Sequence, residues 1–306
     1  MSILSGRVRQ RTFVIATALA AVLVLGHSPS ASAATVRLQV WEFNACDQYG
    51  RGNAECEVTP TQRAGAIAQS LNSTSWPPNV VTLQELCRST FDMVDAQLSS
   101  AWVGYFQPTF TTTDTRCQSA ETGWGIAVFA RSAVLSNPSA TVLGVETSGE
   151  RRTLLCVDVT VSVPLRTCTT HLTAASQATA ASQAKTAAGL VNQWIAAGTA
   201  VVVGGDFNLN VRQCFNSSVR DGLRAWYYGS FGAGSLRCYS GSGSMYEADH
   251  YRTGGDGVYD EDTYRTAKID YVFGNRQRMN GDYAGDATSS SVSDHDPLRG
   301  ALTAHD

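Results

Sequence analysis

The segment 200–208, AVVVGGDFN, joins a short apolar run to two polar side chains. Residues 200–205 have the length and β-branched composition of a strand that is buried on both faces. Asp206 and Asn208 follow at the point where such a strand leaves its sheet. A glycine-rich turn would explain the segment, but the two polar groups also suit a site at a sheet edge.

The rest of the chain alternates between strand-like and helix-like segments. Further strands are predicted at 36–43 (VRLQVWEF), 80–84 (VVTLQ), 124–130 (WGIAVFA), 153–161 (TLLCVDVTV), 166–172 (RTCTTHL) and 268–273 (KIDYVF). Helices are predicted at about 61–72 and 175–197, where apolar residues recur at helical spacing. Strand-rich sheets flanked by helices predict an α/β or α+β sandwich.

Polar residues recur at the ends of these predicted strands. They are Asn44, Gln84, Glu85, His171, Asp206, Asn208, Asp270, Asp294 and His295. Most have an ordinary structural explanation, as a turn cap or a hydrogen-bonded histidine. Glu85 is harder to explain, because a buried unpaired carboxylate is costly and needs a metal or an arginine. Together the residues supply carboxylates, amides and imidazoles, which are the parts of a cation-dependent phosphate site.

The ordered set LQE, TH, GGDFN, IDYVF and SDHDP resembles the endonuclease/exonuclease/phosphatase superfamily, particularly its pancreatic-type deoxyribonucleases. The resemblance spans the chain from Asn44 to His295. It implies a four-layered αββα sandwich, in which two mixed sheets pack face to face with helices outside. It also implies a metal-dependent hydrolase of phosphate esters.

The resemblance assigns expected roles to the metal and water positions. Glu85 is similar to the family's principal metal carboxylate, and Asn44 would support the metal or a phosphate oxygen. Asp206 and Asn208 match the pair that orients the attacking water. One departure concerns the first motif, where Phe43, and not tryptophan, directly precedes Asn44.

The resemblance also assigns the histidines. Asp294 matches the aspartate partner of His295, the expected general base or phosphate stabiliser, and Asp270 matches a supporting aspartate. His171 resembles the histidine near the leaving group. The glutamate that pairs with this histidine in nucleases has only a loose counterpart, which we place at Glu121.

The expected cofactor is Mg²⁺, with Mn²⁺ or Ca²⁺ as alternatives. Fold alone does not choose a substrate, and our first choice is a nuclease that acts on DNA or RNA. A sphingomyelinase or phospholipase C, with phospholipid as substrate, is the alternative. A non-catalytic binding module on the same fold is a third hypothesis, which the nearly complete set of motif residues disfavours. We expect a monomer without a stable protein partner.

The N-terminal segment has the pattern of a secretory signal peptide. Three arginines precede an apolar run from Phe13 to Leu25, which is too short to span a membrane, and small residues end at Ala33. We therefore expect a secreted, extracellular protein whose residues 34–306 form one catalytic domain. Loss of the three arginines changes the formal net charge from −3 to about −6, so a polyanionic substrate needs a local basic patch or a bound cation.

The chain has 8 cysteines, all within residues 34–306. An even number in an exported chain favours four disulfides over a metal cluster, since no pair has zinc-like spacing. We predict a Cys156–Cys168 bond across a hairpin and a Cys214–Cys238 bond that closes a loop. The second bond would lie within 209–267, a segment rich in arginine and tyrosine that we interpret as a surface loop in preference to a nucleic-acid binding site.

Overall fold

The computed structural model describes residues 35–305, apart from 49, 51, 111–116, 118–122, 133, 234–235 and 249–261. The predicted signal peptide, residues 1–33, and Glu121 lie outside the described residues. Within them, the chain forms two six-stranded sheets, a two-stranded sheet and four α-helices.

The first sheet has the strand order β13-β14-β1-β2-β4-β3. Its strands are β1 (Thr35–Asn44), β2 (Val80–Cys87), β3 (Trp102–Pro108), β4 (Trp124–Arg131), β13 (Met279–Ala287) and β14 (Leu298–His305). β1 and β2 are parallel, and the other neighbouring pairs are antiparallel.

The second sheet has the strand order β11-β12-β8-β7-β6-β5. Its strands are β5 (Leu135–Val145), β6 (Arg151–Thr160), β7 (Pro164–His171), β8 (Val201–Asp206), β11 (Met245–Glu247) and β12 (Asp270–Asn275). Here β7 and β8 are the parallel pair. Both sheets are therefore mixed, as the resemblance implied. A separate hairpin consists of β9 (Tyr228–Ala233) and β10 (Leu236–Ser242).

The helices cover the outer faces of the two sheets. They are α1 (Pro60–Leu71), α2 (Arg88–Asp95), α3 (Gln177–Ala196) and α4 (Ser217–Arg224). Local sequence explains where the longer ones begin. Thr59 forms a capping box with Gln62 in front of Pro60, and Ser176 caps α3 by accepting from the Thr179 amide.

Alternating residues of one strand enter different hydrophobic layers. Val202 of β8 belongs to the cluster between the sheets, whereas Val201 and Val203 pack with α3 on the outer face. In the first sheet, Val80 faces the same inner cluster and Val81 faces the α1 side. The architecture is the four-layered αββα sandwich, which confirms the predicted fold and the two-sided burial of the apolar strands.

The two sheets approach each other closely at β8. A Cβ added to Gly204 would collide with Thr82 Oγ1 of the opposite sheet, and one added to Gly205 would collide with the Thr170 carbonyl oxygen of β7. Glycine is therefore required at both positions because a larger side chain would not fit, and not because the backbone turns there. As a result, β8 lies close to the opposite sheet, and Asp206 at its end lies near the strand ends of both sheets.

Three disulfides join described residues: Cys46–Cys56, Cys87–Cys117 and Cys156–Cys168. The last pair lies in register across β6 and β7, which confirms the predicted hairpin bond. Cys214 is also disulfide-bonded, but the Cys238 side chain lies outside the described residues, so that pairing stays a prediction. None of the helices in the described part of the chain has the length and apolar character needed to cross a membrane.

Candidate active site

Side chains from both sheets meet where the parallel strands end. His171 of β7 lies in register with Asp206 of β8, and Asp270 of β12 faces Asp206 from the other side. In the opposite sheet, Asn44 is in register with Gln84. Asn44 Nδ2 donates to Asp206 Oδ2 across the sandwich at 3.1 Å. Asn44, His171, Asp206 and Asp270 therefore converge on one cleft.

Asp206 is the centre of this cluster. Its Oδ1 accepts from the Asn208 amide at 2.8 Å, and its Oδ2 lies 3.6 Å from His171 Nε2 and 3.8 Å from His295 Nε2. Burial, followed by the nearby charge of Asp270, raises the pKa of Asp206 from 3.8 to about 7. The carboxyl group is therefore poised to exchange a proton near neutral pH.

His295 is paired with Asp270, not with Asp294. Its Nδ1 lies 2.9 Å from Asp270 Oδ2, and both side chains are buried. Burial alone would lower the pKa of His295, but Asp270 and Asp206 outweigh it and raise the pKa to about 10. In the metal-free protein, His295 is thus an imidazolium at neutral pH.

Asp294 occupies a different position from the one expected. Its Oδ2 accepts from Asn53 Nδ2 at 3.1 Å, so the predicted Asp294–His295 pair is wrong. The physical reason is that β12 runs beside β8 and brings Asp270 to the histidine. Asp294 forms part of the wall of a neighbouring cavity of about 420 Å³, together with Glu55 and Arg265.

Glu85 lies on a local break in β2. The strand register shifts between Leu83 and Leu86, and Glu85 has a φ of 50°. Gln48 Nε2 donates to Glu85 Oε2 at 2.7 Å, while Glu85 Oε1 lies 3.8 Å from His171 Nε2. Burial raises the pKa of Glu85, against the lowering effect of His295 and of hydrogen bonds from Gln48 and Asn44.

The donor set fits a hard divalent cation. Asp206 and Asp270 are buried carboxylates, and Glu85 is a partly buried one on the other side of Asn44, whose carboxamide contacts Asp206. Carboxylate and amide oxygens are the ligands that Mg²⁺ and Ca²⁺ prefer. Asp270 Oδ1 is buried without a hydrogen-bond partner among the described residues. A cation would offset the negative charge of these carboxylates. A second cluster, Cys46, Cys56 and Asp294, is not a metal site, because its cysteines form a disulfide.

Asn208 and His171 are held by backbone and side-chain contacts. Asn208 has a φ of 50° and donates from Nδ2 to the Leu172 carbonyl at 2.9 Å. This bond ties the end of β8 to the end of β7. His171 Nδ1 lies 3.2 Å from Arg152 Nη1. The predicted partner Glu121 lies outside the described residues, so that pairing stays a prediction.

The structure adds residues that sequence reasoning missed. Gln48 holds Glu85, and Arg152 holds His171. The Tyr264 ring packs 4.6 Å from the His295 ring, centroid to centroid. Glu42 is fully buried, and Asp270 and Asp206 add to the burial that raises its pKa well above normal. The available signal for Glu42 was a glutamate placed between two aromatic residues, Trp41 and Phe43, of a predicted strand.

Comparisons with known proteins identify the family and the fold of the chain. The model of the Endonuclease/Exonuclease/phosphatase family matches residues 53–295. The human Nocturnin catalytic domain, solved with bound sulfate, aligns with a TM-score of 0.64 and 18% identity over 90% of this chain and 97% of that one. An endonuclease/exonuclease/phosphatase from Bacteroides vulgatus aligns with a TM-score of 0.57 and 15% identity over 87% and 98%.

A third structure, D. rerio TDP2 complexed with single-strand DNA product, aligns with a TM-score of 0.55 and 15% identity over 87% of this chain and 98% of that one. At these identities the likeness shows a shared fold. None of the curated proteins matches the chain by sequence.

Proposed function

The chain belongs to the endonuclease/exonuclease/phosphatase family, and we propose that it is a secreted phosphodiesterase that uses a divalent cation to hydrolyse DNA or RNA. Family membership supports hydrolysis of a phosphate ester. The observation that carries the proposal is the contact of Asn44, His171 and His295 with one carboxylate, that of Asp206. These three side chains come from different strands and loops, and packing alone gives no reason for them to meet.

Glu85 and Asn44 are the proposed ligands of Mg²⁺, with Mn²⁺ or Ca²⁺ as alternatives. When bound, such a cation would polarise the phosphate and stabilise negative charge on its oxygens. Gln48 would keep the Glu85 carboxylate in place through its 2.7 Å hydrogen bond. Because Glu85 sits where β2 breaks register, its side chain can leave the sheet and face the cleft.

Asp206 is the proposed general base. Water would be held against Asp206 and Asn208 and would attack phosphorus in line, while its proton passes to the Asp206 carboxylate. A pKa of about 7 suits this task at neutral pH. His295, with its pKa of about 10, would stay protonated and donate to a phosphate oxygen. Asp270 would hold that imidazolium in orientation.

A nucleic acid is the proposed substrate. Its support is the bound single-strand DNA product in the D. rerio TDP2 structure, which has the same fold. His171 would face the leaving oxygen from the edge of the same cleft. Phospholipid stays the alternative substrate, and the test below distinguishes the two.

The test offers the purified protein, with Mg²⁺, plasmid DNA, RNA, sphingomyelin and a simple phosphomonoester. We expect cleavage of DNA or RNA. Asp206→Ala and His295→Ala should each lower turnover by at least about 100-fold. Near-normal turnover in either variant would contradict the proposed site. Cleavage of sphingomyelin alone would show that the substrate is a phospholipid and not a nucleic acid.

Matched controls are available far from the cleft. Asp92→Ala removes an exposed carboxylate on α2 that pairs with Arg88. His305→Ala removes a histidine at the end of β14, which lies opposite Thr35 at the far end of β1 from Asn44. Both control variants should keep turnover within about twofold, since neither side chain reaches the cleft.

Secretion is part of the same proposal. The N-terminal pattern of residues 1–33 supports it, and three disulfides fit an oxidising compartment. Expression in a secreting host, followed by N-terminal sequencing of the protein in the medium, should give a chain that starts at Ala34. Retention of the apolar segment 13–25 in the recovered protein would contradict cleavage.

A further inference from the structure

Helix α1 carries an arginine that is completely buried. Arg63 is 0% exposed, and its Nε donates to Asp47 Oδ1 at 3.2 Å. Asp47 is buried as well. Burial of two charges costs desolvation that their mutual attraction does not reliably offset, so an ion pair of this kind is weak evidence for stability. The remaining contacts of the two side chains indicate what the pair does.

The guanidinium of Arg63 holds two loops by their backbone. Its Nη1 donates to the carbonyl oxygen of Ala45 at 2.7 Å and also to that of Val292, and its Nη2 donates to that of Cys56 at 2.7 Å. A planar guanidinium can make such bonds in several directions at once, whereas lysine has a single nitrogen. Arg63 therefore joins the loop between β1 and α1 to the loop that precedes β14.

Asp47 extends these contacts to β2. Its Oδ2 accepts from the Cys87 amide at 3.0 Å, and its own amide donates to the Glu85 carbonyl oxygen at 2.9 Å. The backbone at Glu85 and just beyond it is thus bound to a residue whose carboxylate is paired with Arg63. This part of β2 needs such support, because the strand breaks register there.

The second loop leads to His295. Val292, which accepts from Arg63, directly precedes Ser293. Ser293 Oγ donates to the Asn44 carbonyl oxygen at 2.8 Å and accepts from the His295 amide at 3.1 Å. The position of His295 relative to β1 therefore depends on a short segment that Arg63 fixes at its start.

We propose that Arg63, through its ion pair with Asp47, is a positioning residue that sets the spacing between the proposed metal ligands and His295. This inference rests on the proposed phosphodiesterase function. The contacts of the pair lie within a few residues of Asn44, Glu85 and His295 in the chain. These groups would act on one phosphate, and a misplacement of about 1 Å can cost about 100-fold in rate.

Arg63→Lys tests the proposal in the kinetics. The variant keeps the positive charge but loses the planar group that reaches several carbonyls. We expect kcat to fall by about 10-fold to 100-fold, whereas KM for nucleic acid should change little, because the buried Arg63 cannot touch the substrate. A wild-type kcat in the folded variant would overturn the inference.

Asp47→Asn is a second variant, which decides the question if Arg63→Lys does not fold. It keeps the shape of the side chain and an acceptor for the Cys87 amide, but it loses the charge that orients Arg63. The kcat of this variant should fall in the same way. In the combined variant the losses should be less than additive, because the two residues act through one ion pair. Fully additive losses would contradict a shared role.

Mn²⁺ binding gives a readout that needs no substrate. The purified proteins are titrated with Mn²⁺, and the free ion is followed by electron paramagnetic resonance. The part of the binding that Glu85→Gln removes is assigned to the cleft. We expect that part to weaken by about 10-fold in Arg63→Lys and in Asp47→Asn, as for other residues that orient metal ligands. Equal Mn²⁺ affinity in the wild type and both variants would overturn the inference.

Urea unfolding separates positioning from a purely structural role. A purely structural residue would lower the free energy of unfolding and leave kcat and Mn²⁺ affinity unchanged under conditions in which the variant is fully folded. Positioning by Arg63 predicts that both quantities change under those conditions. The kinetic and Mn²⁺ measurements are therefore made where the unfolding curves show a fully folded protein.

Arg166→Lys is the matched control. Arg166 is 9% exposed, and its guanidinium donates to Asp158 Oδ1 at 2.6 Å and to Ser139 Oγ at 2.5 Å. It lies opposite Val201, at the other end of β7 from His171. The same substitution there should lower stability but keep kcat and Mn²⁺ affinity within about twofold, because the site is distant.

The two proposals can fail separately. If none of the substrates is hydrolysed, the proposed function fails, whereas Mn²⁺ binding still tests the role of Arg63. If nucleic acid is hydrolysed and the Arg63 and Asp47 variants keep kcat and Mn²⁺ affinity, only the positioning role is lost.

Discussion

His295 Nδ1 lies 2.9 Å from Asp270 Oδ2, although the two residues are 25 positions apart in the chain and Asp294 is the adjacent residue. The contact joins the loop before β14 to the first residue of β12. It places a buried imidazolium against a buried carboxylate, directly beside Asp206. The charge state of the cleft therefore depends on a pair that local sequence does not reveal.

Asp270→Asn should weaken both activity and stability. The pKa of His295 is raised from 6.5 to about 10, so its stabilising contribution is complete below about pH 6.5 and is lost as the pH rises through about 10. In Asp270→Asn this contribution shrinks, and turnover near pH 8 should fall by about 10-fold or more. Urea unfolding at about pH 7 and pH 10, with a pH–rate profile, measures both effects. Asp294→Asn should change each of them less, and an equal effect would refute the pairing.

Asp206→Asn should stabilise the metal-free protein while it abolishes activity. The folded pKa of about 7 exceeds the ordinary value of 3.8, so stability is lost as the pH rises from about 4 through 7. Removing the charge should raise the free energy of unfolding more at about pH 8 than at about pH 5, because Asp206 ionises in the folded protein only above its raised pKa. Urea unfolding in EDTA at about pH 5 and pH 8 tests this. A variant less stable than wild type at the higher pH would contradict it.

Removal of the cation should abolish activity reversibly. EDTA should stop turnover, and added Mg²⁺ should restore it, because the carboxylates of Glu85, Asp206 and Asp270 are the expected ligands of a hard divalent cation. Glu85→Gln should need a Mg²⁺ concentration at least about 10-fold higher for half-maximal rate, as the metal loses a charged ligand. Titration of the rate with Mg²⁺ measures this, and an unchanged midpoint would show that Glu85 is not a ligand.

Gly205→Ala should destabilise the fold by about 2 kcal/mol or more. Its added Cβ would meet the backbone of Thr170 in the neighbouring strand, which cannot move without breaking the ladder. Gly189→Ala, on α3, is the control, because no atom lies within 4 Å of its added Cβ. That variant should be more stable by about 0.5–1 kcal/mol. Thermal or urea unfolding of both variants tests the comparison.

Sequence patterns predicted most directly the strands whose residues are apolar on both faces. β2, β4 and β8 could be predicted for this reason. The capped helices α1 and α3 could be predicted because α1 has an amphipathic pattern and α3 is rich in alanine. β5 was missed because it is an edge strand, and much of it is exposed. The short α2 and α4 offer few apolar positions, so their periodicity is weak.

Site residues were predictable where a polar group follows a buried strand. Asn44, Glu85, His171 and Asp206 were found in this way. Contacts between distant segments could not be predicted from the sequence. The adjacent Asp294 was assigned as the partner of His295, whereas the actual partner, Asp270, is distant in the chain. Gln48 and Arg152 were missed for a related reason, since each acts on a neighbour that only the tertiary fold supplies.

The hydrogen bond between Asn44 and Asp206 crosses from one sheet to the other, which makes the cleft a property of how the layers are docked. A slide of one layer by a single residue, about 3.3 Å along a strand, would separate these two groups and the ligands behind them. A partly folded chain with one intact sheet would contain only those site residues that belong to that sheet. Turnover should therefore appear at the last step of folding, when the layers lock in register, and it should vanish at the first step of their separation.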